Sequence, residues 1–108
     1  MRKNKKIILN AIKTCLNRQL GDKLKYVILF GSRAWGKAKT YSDYDLLIVL
    51  AQNYDWRMRE KISEMLYEID LNYDICTQPL VISEDEINNS LRGTQPIIQK
   101  ALQKGIYV

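Results

Sequence analysis

Two short apolar runs, YVILF (26–30) and the body of DYDLLIVL (43–50), constrain this chain more than any other feature. Both are rich in β-formers and too short for a buried helix, so each reads as a strand buried on both faces. Such strands need helices to cover them, and the apolar periodicity supplies these. In KKIILNAIKTCLNRQL (5–20), Ile7, Ile8, Ala11, Ile12, Cys15, Leu16 and Leu20 recur at helical spacing, and Gly21 ends the segment. From Asp55 to Leu71, Met58, Ile62, Met65, Leu66 and Ile69 mark a second helical face. YDICTQPLV (73–81) reads as a third strand, with Pro79 near its end, where a missing ladder donor is tolerated. Ser83 and Glu86 have the spacing of a capping box that opens a short helix. Thr94 and Pro96 begin a last helix, which Gly105 closes. The expected fold is α/β (or α+β): one domain over residues 1–108, a small mixed sheet with helices packed on it.

Composition narrows the chemistry. With 108 residues, 46% hydrophobic and 27% charged, the chain has the profile of a soluble globular domain. No apolar run approaches the roughly 20 residues needed to span a bilayer. The start, MRKNKKIILN, is basic and then briefly apolar, but Asn10 and Lys13 interrupt it and no small-residue cleavage site follows. A cytoplasmic protein is expected. Cys15 and Cys76 lie far apart in apolar segments without metal-ligand spacing, and are expected to be buried free thiols. The sequence contains no histidine, which excludes Ser-His-Asp and Cys-His triads, histidine bases and most catalytic zinc sites. Chemistry must therefore rest on carboxylates, amines, hydroxyls or oxygen-bound metal. Much of the net charge of +5 comes from Arg2, Lys3, Lys5 and Lys6 at the start. The other basic residues are spread out with no basic–aromatic interleaving, which argues against a nucleic-acid module.

Between the two strands lies GSRAWGKA (31–38), one residue from the phosphate-binding pattern G-x-x-x-x-G-K-[ST]. That pattern needs a hydroxyl ligand where Ala38 stands. It must also open a full helix, whereas only a few residues separate Gly36 from Asp43. What remains is a strand ending in Gly-Ser, a short connection, and Asp-x-Asp at the start of a strand. Side chains alternate along a strand, so Asp43 and Asp45 project from one face about 7 Å apart. Their mutual repulsion is relieved by a divalent cation, and an oxygen-only ligand set selects a hard ion, Mg²⁺ or Mn²⁺. Asp74, at the start of the expected third strand, is the third acid. Converging at one sheet end, the three suit a two-metal site for in-line phosphoryl displacement. Gly31 lets the backbone approach a phosphate, Ser32 offers a hydroxyl and an N–H, and Arg33 and Lys37 are candidates to neutralise phosphate charge. Taken singly, each has a plain structural alternative: Asp43 as a turn residue, Asp74 as a solvated carboxylate, Gly31-Ser32 as a turn.

The motif resembles the minimal nucleotidyltransferases (MNT) of the DNA polymerase β-like superfamily. Their signature is Gly-Ser, ten residues, then Asp-x-Asp, matched here by Gly31-Ser32, Arg33 through Ser42, and Asp43-Tyr44-Asp45. The element order also matches, so the resemblance spans nearly the whole chain. It implies transfer of a nucleoside monophosphate from a nucleoside triphosphate, usually ATP, with pyrophosphate leaving. By that resemblance Asp43 and Asp45 hold two Mg²⁺ ions. Asp74 binds the metal facing the acceptor and helps deprotonate its hydroxyl, while Gly31 and Ser32 hold the β- and γ-phosphates. Many relatives carry Arg before the second glycine. Here Trp35 offers instead an aromatic to pack under the loop or stack on a base. Small members resemble antitoxins of HEPN/MNT toxin–antitoxin modules, which add AMP to a tyrosine of a HEPN-domain ribonuclease. Two alternatives stay open: an antitoxin that acts by stoichiometric binding alone, and a nucleotidyltransferase of aminoglycoside-type small molecules. The apolar end, Tyr107 and Val108, suggests pairing with another chain, so a homo-oligomer also stays open.

Overall fold

The computed structural model describes residues 4–36 and 43–108. In chain order the elements are α1 (Lys5–Leu20), β1 (Leu24–Phe30), β2 (Tyr44–Leu50), α2 (Trp56–Tyr73), β3 (Thr77–Ser83), α3 (Glu84–Asn89), α4 (Pro96–Lys104) and β4 (Ile106–Tyr107). The strands form one mixed sheet in the order β3-β2-β1-β4. β1 runs antiparallel to β2 and β4, and β2 parallel to β3. A parallel pair requires a crossover connection, and α2 is that crossover.

Local chemistry sets the helix ends. The Asn4 side chain accepts from the N–H groups of Lys6 and Ile7, and Asp55 does the same for Arg57 and Met58 at the start of α2. Ser83 and Glu86 complete the expected capping box. Pro96 opens α4, where its missing N–H costs nothing.

The sheet is covered on both faces. Strand alternation sends Val27, Leu29, Leu46 and Ile48 to one side, where Ile8, Ile12 and Leu16 of α1 and Ile62, Leu66 and Ile69 of α2 pack on them. Ile28, Phe30, Leu47, Val49 and Ile82 face the other side, beneath Ile98 and Ala101 of α4. Burial on both faces is why β2 reads as a continuous apolar run rather than an alternating one.

Several expectations change. α2 runs on to Tyr73, and Asp74 closes it in the left-handed conformation (φ 52°), with its N–H bonded to the Asp70 carbonyl. The third strand therefore starts at Thr77, not Tyr73. Asp tolerates this conformation better than most residues, which lets it end a helix where glycine is usual. Pro79 lies within β3 rather than near its end, tolerated because β3 is an edge strand. Ile7 of the expected apolar stripe is 56% exposed. Cys15 is half-buried against the core, but Cys76 is exposed, because it precedes the strand instead of lying within it. The C-terminal residues add the fourth strand at the other edge of the sheet. Ile106 and Tyr107 pair with Leu29 and Ile28, and the Val108 N–H bonds the Val27 carbonyl. No described helix is long and apolar enough to cross a membrane.

Candidate active site

The site grows from the junction of β1 and β2. Asp45 lies opposite Phe30, the last residue of β1, and Gly31 follows at once. Gly31 has φ 76°, and a methyl group placed on it would collide with the Asp45 carboxylate. A glycine is thus required twice: for the left-handed backbone and for the close approach of the acid. The Gly31 carbonyl accepts from the N–H groups of Ala34 (3.1 Å) and Trp35 (3.2 Å), curling residues 31–35 into a tight turn. Ser32 sits half-buried in that turn.

Asp43 and Asp45 stand on the same face by alternation, the face that Leu47 and Val49 share with α4. Asp45 is half-buried, and burial, reinforced by the negative charge of Asp43, raises its pKa above the usual carboxylate value. Two ionised acids held this way strain against each other, and a hard divalent cation between them removes the repulsion. The donor set fits Mg²⁺ or Mn²⁺.

Around the pair, the parallel β2–β3 register places Gln78 beside Asp45, and its Nε2 donates to Asp43 Oδ2 at 3.4 Å. The Tyr44 N–H bonds the Cys76 carbonyl at 2.9 Å, drawing the α2–β3 junction against the start of β2. Asp70 anchors that junction. Its carboxylate accepts from the Thr77 N–H at 3.1 Å, and its carbonyl accepts from the N–H groups of Ile75 and the cap residue Asp74. Burial raises the Asp70 pKa; the Thr77 bonds oppose the rise, and the charge of Asp43 adds to it.

Asp74, the third acid of the motif, is exposed on this junction as the helix cap. Among the described residues no three acid or thiol side chains gather closely enough to enclose a metal ion. The convergence of Asp43, Asp45 and Asp74 expected from sequence is therefore not assembled here. The reason is local: the extra turn of α2 takes Asp74 out of the strand ladder. Asp43 and Asp45 come together as expected.

Of the candidate cations, Lys37 lies outside the described residues. Arg33 stacks its guanidinium 4.4 Å from the centre of the Tyr44 ring. Tyr44 belongs to the cluster beneath α1 and α2, so this contact is on the side of the sheet away from the acids. Trp35 does pack, as one alternative held, though against α4. Its indole N–H donates to the Lys104 carbonyl at 3.1 Å, and the Lys100 ammonium lies 4.2 Å from its ring centre. Sequence reasoning missed Gln78, Asp70 and Lys100. Gln78 becomes legible only once the β2–β3 register is known, and Lys100 is one more polar position on an amphipathic helix.

Residues 10–106 match the family described as Polymerase beta, Nucleotidyltransferase. The chain belongs to this family. Within it, the chain is 30% identical over 92 residues to a Haemophilus influenzae protein named as a protein adenylyltransferase, MntA, covering 85% of this chain and 79% of that one. A solved structure described as a minimal nucleotidyltransferase superposes with a TM-score of 0.66 at 18% identity, over 99% of this chain and 98% of that one. A chain from a complex of tri-AMPylated Shewanella oneidensis HEPN toxin with its MNT antitoxin gives 0.59 at 18% identity, over 96% and 71%. At that identity the two structures share the family fold.

Proposed function

We propose that this nucleotidyltransferase transfers AMP from ATP to a hydroxyl, a tyrosine by preference, of a HEPN-domain ribonuclease, and so acts in the cytoplasm as its antitoxin. The observation that carries the proposal is the Asp43–Asp45 pair set on one sheet face directly against Gly31. The protein adenylyltransferase name of the Haemophilus relative and the AMPylated HEPN toxin of the Shewanella complex support the choice of acceptor.

In the reaction the acceptor oxygen bonds the α-phosphorus while the bond from that phosphorus to the bridging oxygen breaks. Pyrophosphate leaves with the bridging oxygen, and the hydroxyl proton passes to a carboxylate. The bare backbone at Gly31 admits the triphosphate, and Ser32 adds its hydroxyl and N–H to the β- and γ-phosphates. Lys37 is the loop candidate for neutralising phosphate charge, while Arg33, stacked on the Tyr44 ring, lies toward the other side of the sheet. Asp43 and Asp45 would hold the Mg²⁺ ions, which when bound supply charge neutralisation and polarise the phosphoryl oxygens. Gln78 keeps Asp43 turned to the acid face. Asp74, carried on the junction that Asp70 holds, takes the acceptor proton.

Mass spectrometry tests this directly. The product of the neighbouring gene, a HEPN-domain protein if the proposal holds, is incubated with the chain, ATP and Mg²⁺. A gain of one or more adenylate groups on that protein, absent with the Asp43→Asn, Asp45→Asn double variant, is expected; an unchanged mass refutes the proposal. The competing reading is inhibition by stoichiometric binding, with the acids idle. A double variant that still neutralises the toxin at equal abundance would establish it.

A further inference from the structure

A triphosphate held at Gly31 brings several negative charges to the acid face of the sheet, and the described loop residues place no cation there. Arg33 is stacked on Tyr44, whose side chain belongs to the cluster under α1 and α2. Position 35, directly before the second glycine, is an uncharged tryptophan. The α4 face is the one Asp45 shares with Leu47 and Val49, and here Trp35 is fixed at both its ends. Its backbone N–H closes the turn onto Gly31, and its indole N–H caps the last turn of α4 through the Lys104 carbonyl. Lys100, one turn back along α4, lays its ammonium over the same ring at 4.2 Å. Among the described residues no carboxylate forms an ion pair with Lys100.

We infer that Lys100, seated on Trp35, is the cationic group that α4 contributes to the triphosphate of the bound nucleotide. The chemistry suits the role. A tryptophan face holds an ammonium without neutralising it, so the charge stays available to an anion. The ring narrows the rotamer freedom of the lysine, which lowers the entropic cost of holding a phosphate oxygen. The stack also ties the position of the charge to the loop that curls from Gly31, so loop and cation present themselves as one unit. A cation at this place acts on the terminal phosphates, which become pyrophosphate. It therefore strengthens binding of the triphosphate as such, whatever the base.

The inference rests on the proposed nucleotide site, and the experiment separates the two. Titration calorimetry in Mg²⁺ buffer measures binding of ATP and of inorganic tripolyphosphate to the unaltered chain and to Lys100→Ala, Lys100→Arg and Lys61→Ala. Lys61 is an exposed lysine of α2, on the other side of the sheet, and controls for net charge. Lys100→Ala should weaken both ligands roughly tenfold, the loss of one charge-assisted contact. Lys100→Arg, which also stacks on an aromatic face, should stay within about threefold of the unaltered chain. Lys61→Ala should bind as the unaltered chain does. Equal affinity in Lys100→Ala, an equal loss in Lys61→Ala, or a loss for ATP without one for tripolyphosphate overturns the assignment of Lys100 while the nucleotide site stands. An unaltered chain that binds neither ligand overturns both.

Discussion

Gly31→Ala is the substitution whose consequences the structure specifies most fully. At φ 76° an alanine costs about 1–2 kcal/mol of left-handed strain. For a domain near 100 residues that corresponds to a fall in Tm of roughly 4–16 °C. The new methyl would also overlap the Asp45 carboxylate, so the acid must swing away or the end of β1 must shift. A misplacement of about 1 Å at a reacting centre can cost on the order of a hundredfold in rate. Gly21→Ala serves as the comparison. Its φ is 53°, it lies at the other end of β1, and a methyl there meets nothing within 4 Å. Both variants should lose stability in calorimetry. Only Gly31→Ala should also lose adenylate transfer from labelled ATP, by about a hundredfold or more. A Gly31→Ala protein transferring within threefold of Gly21→Ala would refute the claim that Gly31 is kept for the sake of Asp45.

Three further outcomes follow from the same geometry. Mg²⁺ should raise the Tm of the unaltered chain near pH 7, by an amount equivalent to about 1.4 kcal/mol at tenfold above its dissociation constant; calorimetry should show no such rise in the Asp43→Asn, Asp45→Asn double variant. Asp70→Ala should cost about 1–3 kcal/mol in urea unfolding, because it leaves the buried Thr77 N–H without its acceptor, and Asp70→Asn, which keeps an acceptor oxygen, should recover most of that. Burial pushes the Glu86 pKa up, but hydrogen bonds from the Tyr54 hydroxyl, the Ser83 N–H and Arg92, with the charge of Arg92, outweigh it and hold the group below its ordinary value of 4.5. Because the folded value is depressed, its stabilisation is present above that ordinary value and lost as pH falls through the folded one. Glu86→Gln should therefore flatten the loss of stability in acid melts begun above pH 4.5 and carried below it.

Sequence by itself determined the elements whose signals are local. The apolar runs announced two strands, Ser83 with Glu86 marked a helix start, and Gly-Ser followed by Asp-x-Asp named the chemistry and the family. Alternation alone was enough to set Asp43 and Asp45 on one face, since both sit at one strand start. Tertiary structure decided whatever depends on which strands are neighbours and on where a helix stops. The end of α2 turned on Asp74 taking a left-handed conformation, a matter of about 1–2 kcal/mol that no residue pattern announces, and this moved the third acid from a strand to a cap. The same holds for Gln78 beside Asp43, Ile106–Tyr107 beside β1 and Lys100 on Trp35. Each joins residues far apart in the chain, and a contact of that kind leaves its mark in space, not in spacing.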